Sequence, residues 1–186
     1  MITSSIPFFE QYLTRMTARL ADVRHDDLES AAKLFVSSAT RGGKIIVAGN
    51  GGSAAMASHV AVDLTKTAHV RSVTFNEADL ITCLANDYGY ESWVAKALEF
   101  YADRDDVVVL ISSSGRSPNI VNAARQARAM ALPVVTFSGF DRANALRHAG
   151  DVNFWVDSTE YNIVEMVHHV WLVSIIDRII DIRRTS

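Results

Sequence analysis

Two short loops and two helix faces hold most of the residues in this chain that can do chemistry. Gly49-Asn50-Gly51-Gly52-Ser53 follows an apolar run at 44–48, and Ser112-Ser113-Ser114-Gly115-Arg116-Ser117 follows another at 107–111. Glycine lets the backbone take positive φ and come close to a ligand. Each stretch opens onto a helical pattern, so free N–H groups and the positive end of a helix dipole face whatever sits there. The hydroxyls of Ser53, Ser112, Ser113, Ser114 and Ser117 add donors that hold a phosphate without a fixed charge. Alone, the glycine stretch reads equally as a tight strand-to-helix turn, and the serine stretch as a solvated turn. At the ends of two core strands, they point together to a phosphorylated small molecule. The spacing departs from the G-x-G-x-x-G fingerprint, and Gly43-Lys44 precedes its strand, unlike a P-loop, so no nucleotide cofactor is expected.

The helix faces supply acid/base groups. His59 and Asp63 are four residues apart and share a face, as do Glu165 and His169, with His168 beside them. The terminal helix that carries Glu165 is otherwise apolar nearly all round, which implies burial in the fold or in a subunit interface. Unpaired polar groups there are costly. Three readings fit: a surface ion pair at His59 and Asp63, a histidine–carboxylate pair pinning a helix interface, or a functional site. In the third, His59, Asp63, Glu165 and His168 or His169 form an acid/base set or the ligands of a Zn²⁺ ion.

Strand patterns at 44–48, 107–111, 133–137 and 152–156 alternate with helical patterns at 53–66, 118–130 and 160–182. Two further helices precede them, one starting at Pro7 and one capped by Asp26-Asp27 and ending near Gly42-Gly43. Continuous apolar strands between helices predict an α/β fold with a parallel sheet covered on both faces. Ligands in such folds bind at the carboxyl ends of the strands, where both loops fall.

The 186 residues are 49% hydrophobic and 21% charged, with a net charge of −3 and one cysteine, Cys83. That is the composition of one globular domain, and it excludes disordered, collagen-like and coiled-coil chains. Nucleic acid finds no bulk electrostatic support, and no internal disulfide can form. Asp177, Arg178 and Asp181 interrupt the longest apolar stretch, so no membrane span is expected. With no signal-peptide pattern at the N-terminus, a cytoplasmic location is expected.

The two loops, together with His59, Asp63-Leu64-Thr65, Asn86-Asp87 and Pro118-Asn119, resemble the sugar isomerase (SIS) family, in its phosphoheptose isomerase branch. The resemblance covers nearly the whole chain. It implies a flavodoxin-like parallel sheet sandwiched by helices, with N-terminal helices and a long C-terminal helix. A single domain would span 1–186, with 1–42 packing on the α/β core and forming the oligomer interface. Homotetramers with active sites between subunits are implied. So is aldose–ketose isomerisation of a sugar phosphate, sedoheptulose 7-phosphate to a heptose 7-phosphate through a cis-enediol, which supplies lipopolysaccharide or capsule precursors. Position by position, the five serines with Gly51 and Gly52 would bind phosphate, and Asn50 and Asp87 the sugar. Asp63 stands where the family has a catalytic glutamate, and His59 where some members bind zinc. The implied catalytic set is Asp63, Glu165 and His169, and the metal set is His59, Asp63, Glu165 and His169. The last helix departs from the family pattern, with Val164 and Leu172 in place of a glutamine and a catalytic histidine. Either the acid/base site is rearranged, or the chain is a non-catalytic phosphosugar- or partner-binding member.

Overall fold

A computed structural model describes residues 7–185; residues 1–6 and 186, included in the single domain expected from the sequence, lie outside the described residues. Runs of Val and Ile form the central strands because branched side chains pack well on a pleated surface buried on both sides. The strands are β1 (Ile45–Gly49), β2 (Ser72–Val73), β3 (Val107–Ser112), β4 (Val134–Gly139) and β5 (Val152–Val156). All pair in parallel, in the order β2-β1-β3-β4-β5. This is the flavodoxin-like order, whose switch point lies between β1 and β3.

Among the described residues, seven α-helices surround the sheet: α1 (Phe8–Ala21), α2 (His25–Thr40), α3 (Gly52–Lys66), α4 (Ala78–Tyr88), α5 (Trp93–Tyr101), α6 (Pro118–Ala129) and α7 (Tyr161–Thr185). Side chains alternate across the strands. Ile45, Val47, Val107, Val109 and Ile111 pack with α2, α3 and α7, while Ile46, Ala48, Val108 and Leu110 pack with α4, α5 and α6. Among the described residues, no helix is long and apolar enough to cross a membrane.

The strands and helices expected from the sequence are all present, with ends shifted by a few residues. The caps differ more. Asp26 and Asp27 lie in the first turn of α2, after Arg24 as the cap, where their charge still meets the positive helix end. Gly51 stands as the residue before α3, and Ser53 is buried inside the helix's first turn. Pro7 stands just before α1 as its cap, outside the helix. The sequence reading places no element between 67 and 106, yet β2, α4 and α5 lie there. Their signals are weak for physical reasons: β2 has two residues and α4 buries only Leu84.

Two buried polar arrangements hold the site-bearing elements. At the start of β1 and β3, the Asp106 carboxylate accepts from the Lys44 backbone N–H (2.8 Å), Lys44 Nζ (2.6 Å) and the Asp103 N–H (2.7 Å). Both side chains are almost fully enclosed, so the charges are paired and satisfied, as burial demands. On α7, His168 is fully buried against Phe137 and Trp171. Its Nε2 lies 2.9 Å from the Ser138 carbonyl, which can only accept, so Nε2 carries the proton. Nδ1 has no partner. Burial pushes this imidazole down from 6.5 to about 4. His168 thus anchors α7 to β4 and faces away from solvent, which removes it as the alternative acid.

Two stability measurements check these anchors. Asp106→Ala removes the buried partner of Lys44, leaving it only the exposed Asp103 carboxylate, and strips the Lys44 and Asp103 N–H groups of their acceptor; it should cost about 3 kcal/mol in denaturant unfolding. Asp105→Ala, which removes only an exposed pair with Arg41, should cost under about 1 kcal/mol. For His168, the unfolded chain takes up a proton below about pH 6.5 that the folded chain takes up only near pH 4. Its contribution is therefore complete above pH 6.5 and is lost as pH falls, by about 2 kcal/mol between pH 7 and 5. His168→Leu should flatten that part of the stability–pH curve.

Candidate active site

Parallel pairing of β1 with β3, with Gly49 opposite Ile111, brings the glycine and serine loops side by side at the strand tips. They line a cleft of about 310 Å³ made by residues 50–53, Ile111, the serines at 112, 113, 114 and 117, Tyr161 and Glu165. That volume lies within the usual range for small-molecule sites, about 300–1,000 Å³. A larger cavity of about 580 Å³ between β2 and α4–α5 is mainly apolar and has no comparable convergence of donors. The smaller cleft is therefore the candidate site.

Local sequence explains its shape. Gly51 takes φ +55°, which lets the chain turn sharply from β1 into α3. Gly115 takes φ +64°, and a Cβ there would fall inside the Asn144 side chain. Asn144 is itself buried, donating to the Gly139 and Asp141 carbonyls and accepting from the Arg147 N–H, so it backs the serine loop from behind. Pro118 begins α6 and Ser117 precedes it as the cap residue. The Ser117 hydroxyl bonds no helix N–H; it lies 3.0 Å from the Ser112 hydroxyl at the mouth of α6.

The loops are locked to each other by an amide pair. Asn50 Nδ2 donates to Asn119 Oδ1 and Asn119 Nδ2 donates to Asn50 Oδ1, each at 2.9 Å. Tyr90 adds a third bond to Asn50 Oδ1 at 3.1 Å. Asn50 was expected to touch the sugar; its carbonyl is instead committed to holding the cleft together, with one Nδ2 hydrogen left over. Asn119, Asn144 and Tyr90 escaped the sequence reading as site residues. Only the position of Asn119, two residues after Ser117 and at the start of a helix, could have suggested it.

The acid/base residues divide into two groups. Glu165 lies in the cleft, half-buried, with its carboxylate over Gly52 at the start of α3 and the Ser113 hydroxyl donating to Oε1 at 3.4 Å. His59, Asp63 and His169 form a chain beside it, between α3 and α7. Asp63 Oδ2 is 3.1 Å from His59 Nε2, and His59 Nδ1 is 2.8 Å from His169 Nε2. Because the carboxylate accepts, His59 carries its proton on Nε2, and its Nδ1 accepts from His169. His169 is left with a free Nδ1 lone pair. Burial first, then the neighbouring His59, hold the His169 imidazole below its ordinary pKa, with Asp63 opposing.

Asp87, also expected at the sugar, sits on the exposed side of α4, accepts from Asn86 Nδ2 and does not line the cleft. Of the implied zinc set, His59, Asp63 and His169 are linked by hydrogen bonds, while Glu165 stands beside them in the cleft, bonded by Ser113. Among the described residues no three His, Cys, Asp or Glu side chains are grouped to hold a metal, and both ring nitrogens of His59 are already engaged. The side chains themselves supply carboxylate and imidazole groups. Val164 and Leu172, where the family resemblance implies a glutamine and a histidine, are buried core residues, and Val164 packs on Gly139.

Comparison with known proteins agrees with this geometry. The SIS domain family matches residues 8–139. A phosphoheptose isomerase of Burkholderia pseudomallei is 33% identical over 162 residues, 83% of this chain and 82% of its own. One from Colwellia psychrerythraea is 32% identical over 176 residues, 90% and 89% of the two chains. The structure of phosphoheptose isomerase GmhA from Neisseria gonorrhoeae superposes with a TM-score of 0.83 at 26% identity, covering 92% of this chain and 94% of that one. With a family match over residues 8–139 and 33% identity to a phosphoheptose isomerase over most of both chains, the chain belongs to the SIS domain family, in its phosphoheptose isomerase branch.

Proposed function

We propose that the cleft isomerises a phosphorylated ketose, with sedoheptulose 7-phosphate as the substrate, to the corresponding aldose through a cis-enediol. The observation that carries this reading is the junction of a phosphate cradle and a carboxylate in one cleft. The hydroxyls of Ser112 and Ser117, with the N-terminus of α6, hold the distal phosphate by donors alone. They supply orientation, which fixes the carbonyl end of the sugar against the glycine loop. Glu165 stands at that end and serves as the base that removes the proton from the carbon beside the carbonyl and returns it to the neighbouring carbon. His169, one turn further along α7 and oriented by His59 and Asp63, presents its Nδ1 lone pair to the substrate oxygens, taking the proton from one hydroxyl and returning it to the neighbouring oxygen. The reaction conserves electrons within the substrate, consistent with a site whose chemistry is proton transfer.

The same reading includes association of several copies, with a tetramer expected. Phe8, Phe9 and Leu13 on α1 are well exposed in the single chain, as are Met166 and Val170 on α7. Contiguous apolar surface of this kind marks interaction sites.

Turnover is tested with purified full-length protein and sedoheptulose 7-phosphate. Glu165→Gln should lower kcat by about 10²–10⁴-fold while calorimetric binding of the sugar phosphate stays within about threefold. Loss of turnover in the wild-type protein, with binding intact, would replace the isomerase with a phosphosugar-binding protein. Ser112→Ala and Ser117→Ala should each weaken binding by about 10- to 100-fold, one charge-assisted hydrogen bond to the phosphate apiece. Sedimentation should show a species larger than the monomer, and Leu13→Glu should shift it toward the monomer.

A further inference from the structure

The geometry points to Gly52 as the positioning residue for Glu165: its missing side chain is the space in which the carboxylate stands. This inference rests on the proposed role of Glu165 as base. The two central glycines of the loop differ in what they do. Gly51 has positive φ, and a Cβ added to it would meet nothing within 4 Å, so it is required by the backbone alone. Gly52 has no positive φ, and its backbone would accept any residue. A Cβ there would nevertheless lie 2.8 Å from Glu165 Cδ and 2.9 Å from Oε1, and closer still to Oε2. Contacts this short to the whole carboxyl group leave no rotamer adjustment of a few tenths of an ångström that would relieve them.

Nor can α7 withdraw as a unit. Val164 is packed on Gly139 and His168 is bonded to the Ser138 carbonyl, one on either side of Glu165 along the helix. Any accommodation must therefore come from the Glu165 side chain swinging off the start of α3, away from Ser113. Glycine is also a weaker helix former than alanine, so local propensity at the first residue of α3 favours alanine. Steric need, not backbone conformation, accounts for glycine at this position.

The test is a double-mutant cycle on the full chain. Gly52→Ala should leave the melting temperature unchanged or higher, and leave binding of sedoheptulose 7-phosphate within about threefold. Its kcat should fall by about 100-fold, as expected for a reacting group displaced by about 1 Å. Glu165→Asp alone should also lower kcat. Combined with Gly52→Ala, it should cost no more than the worse single change, because both act on the position of one carboxylate. A Gly52→Ala protein with wild-type kcat, or losses that multiply in the double variant, would overturn the inference. A crystal structure of Gly52→Ala provides a readout independent of turnover. Should the wild-type protein fail to isomerise the sugar, the proposed function falls, and the crystal structure alone decides the inference. A Glu165 carboxylate displaced from α3 supports it, and an unmoved one overturns it.

Discussion

The parallel register of β1 on β3 is the constraint from which the site follows. With Gly49 opposite Ile111, the two strands end at the same level, and the chain must leave both tips into neighbouring loops. β1 is flanked on its other side by β2, while β3 is flanked by β4, so the helices that follow leave toward opposite faces of the sheet. A crevice between the loops results from topology alone. What the sequence adds is a means of holding it at one width. The Asp106–Lys44 cluster pins the strand starts, and the Asn50–Asn119 amide pair pins the loops at the other end. Reciprocal amide bonds fix both distance and orientation, which a single hydroxyl contact would not.

The charges in the cleft follow a consistent logic. Arg116 lies within the serine loop, yet its guanidinium pairs with Asp141 outside the cleft. The Ala143 N–H, and then Arg116, hold the Asp141 carboxyl below its ordinary pKa, so the pair stays charged. The proposed phosphate recognition is thereby left to hydroxyls, backbone N–H groups and the α6 dipole. A fixed cation beside Glu165 would hold the carboxylate as an ion pair and weaken it as a proton acceptor. Helix dipoles favour an anion while leaving the carboxylate free of a covalent-length partner. In the proposed function, two helix starts then serve two anions: α6 the phosphate and α3 the Glu165 side chain.

Much of this was legible in the chain before any coordinates. Buried parallel strands announce themselves by continuous Val and Ile, as at 107–111, and loops rich in glycine and serine mark the strand tips they follow. The element most poorly read, 67–106, is also the one with least periodic signal: β2 is an edge of two residues, and α4 presents mostly exposed side chains. Polar packing was less accessible still. Nothing local distinguishes Asn119, which bonds Asn50 across 69 residues, from an ordinary helix-start asparagine. His168 and His169 are adjacent in sequence, yet one is sealed against β4 and the other meets His59. A rotation of about 100° per residue separates a core position from a functional one, and the apolar pattern of α7 is too uniform to say which is which.

That uniformity bears on how α7 departs from its relatives. The SIS domain match ends at Gly139, before α7 begins, so the helix carrying Glu165 and His169 lies outside the span most alike. Within it, position 172 is occupied by a leucine in the core, and the nearest imidazole facing α3 is at 169, three residues earlier. Residues three apart share a helix face, so the imidazole stands one turn before Leu172 along the same stripe. At 169 it lies one turn beyond Glu165 and within reach of His59, which in turn contacts Asp63. The aspartate fits this arrangement physically. It reaches His59 Nε2 across one turn of α3 and thereby selects the tautomer whose Nδ1 accepts from His169. Asp63, His59 and His169 are thus one hydrogen-bonded chain that ties α3 to α7 beside the cleft, while Leu172 is given over to the core.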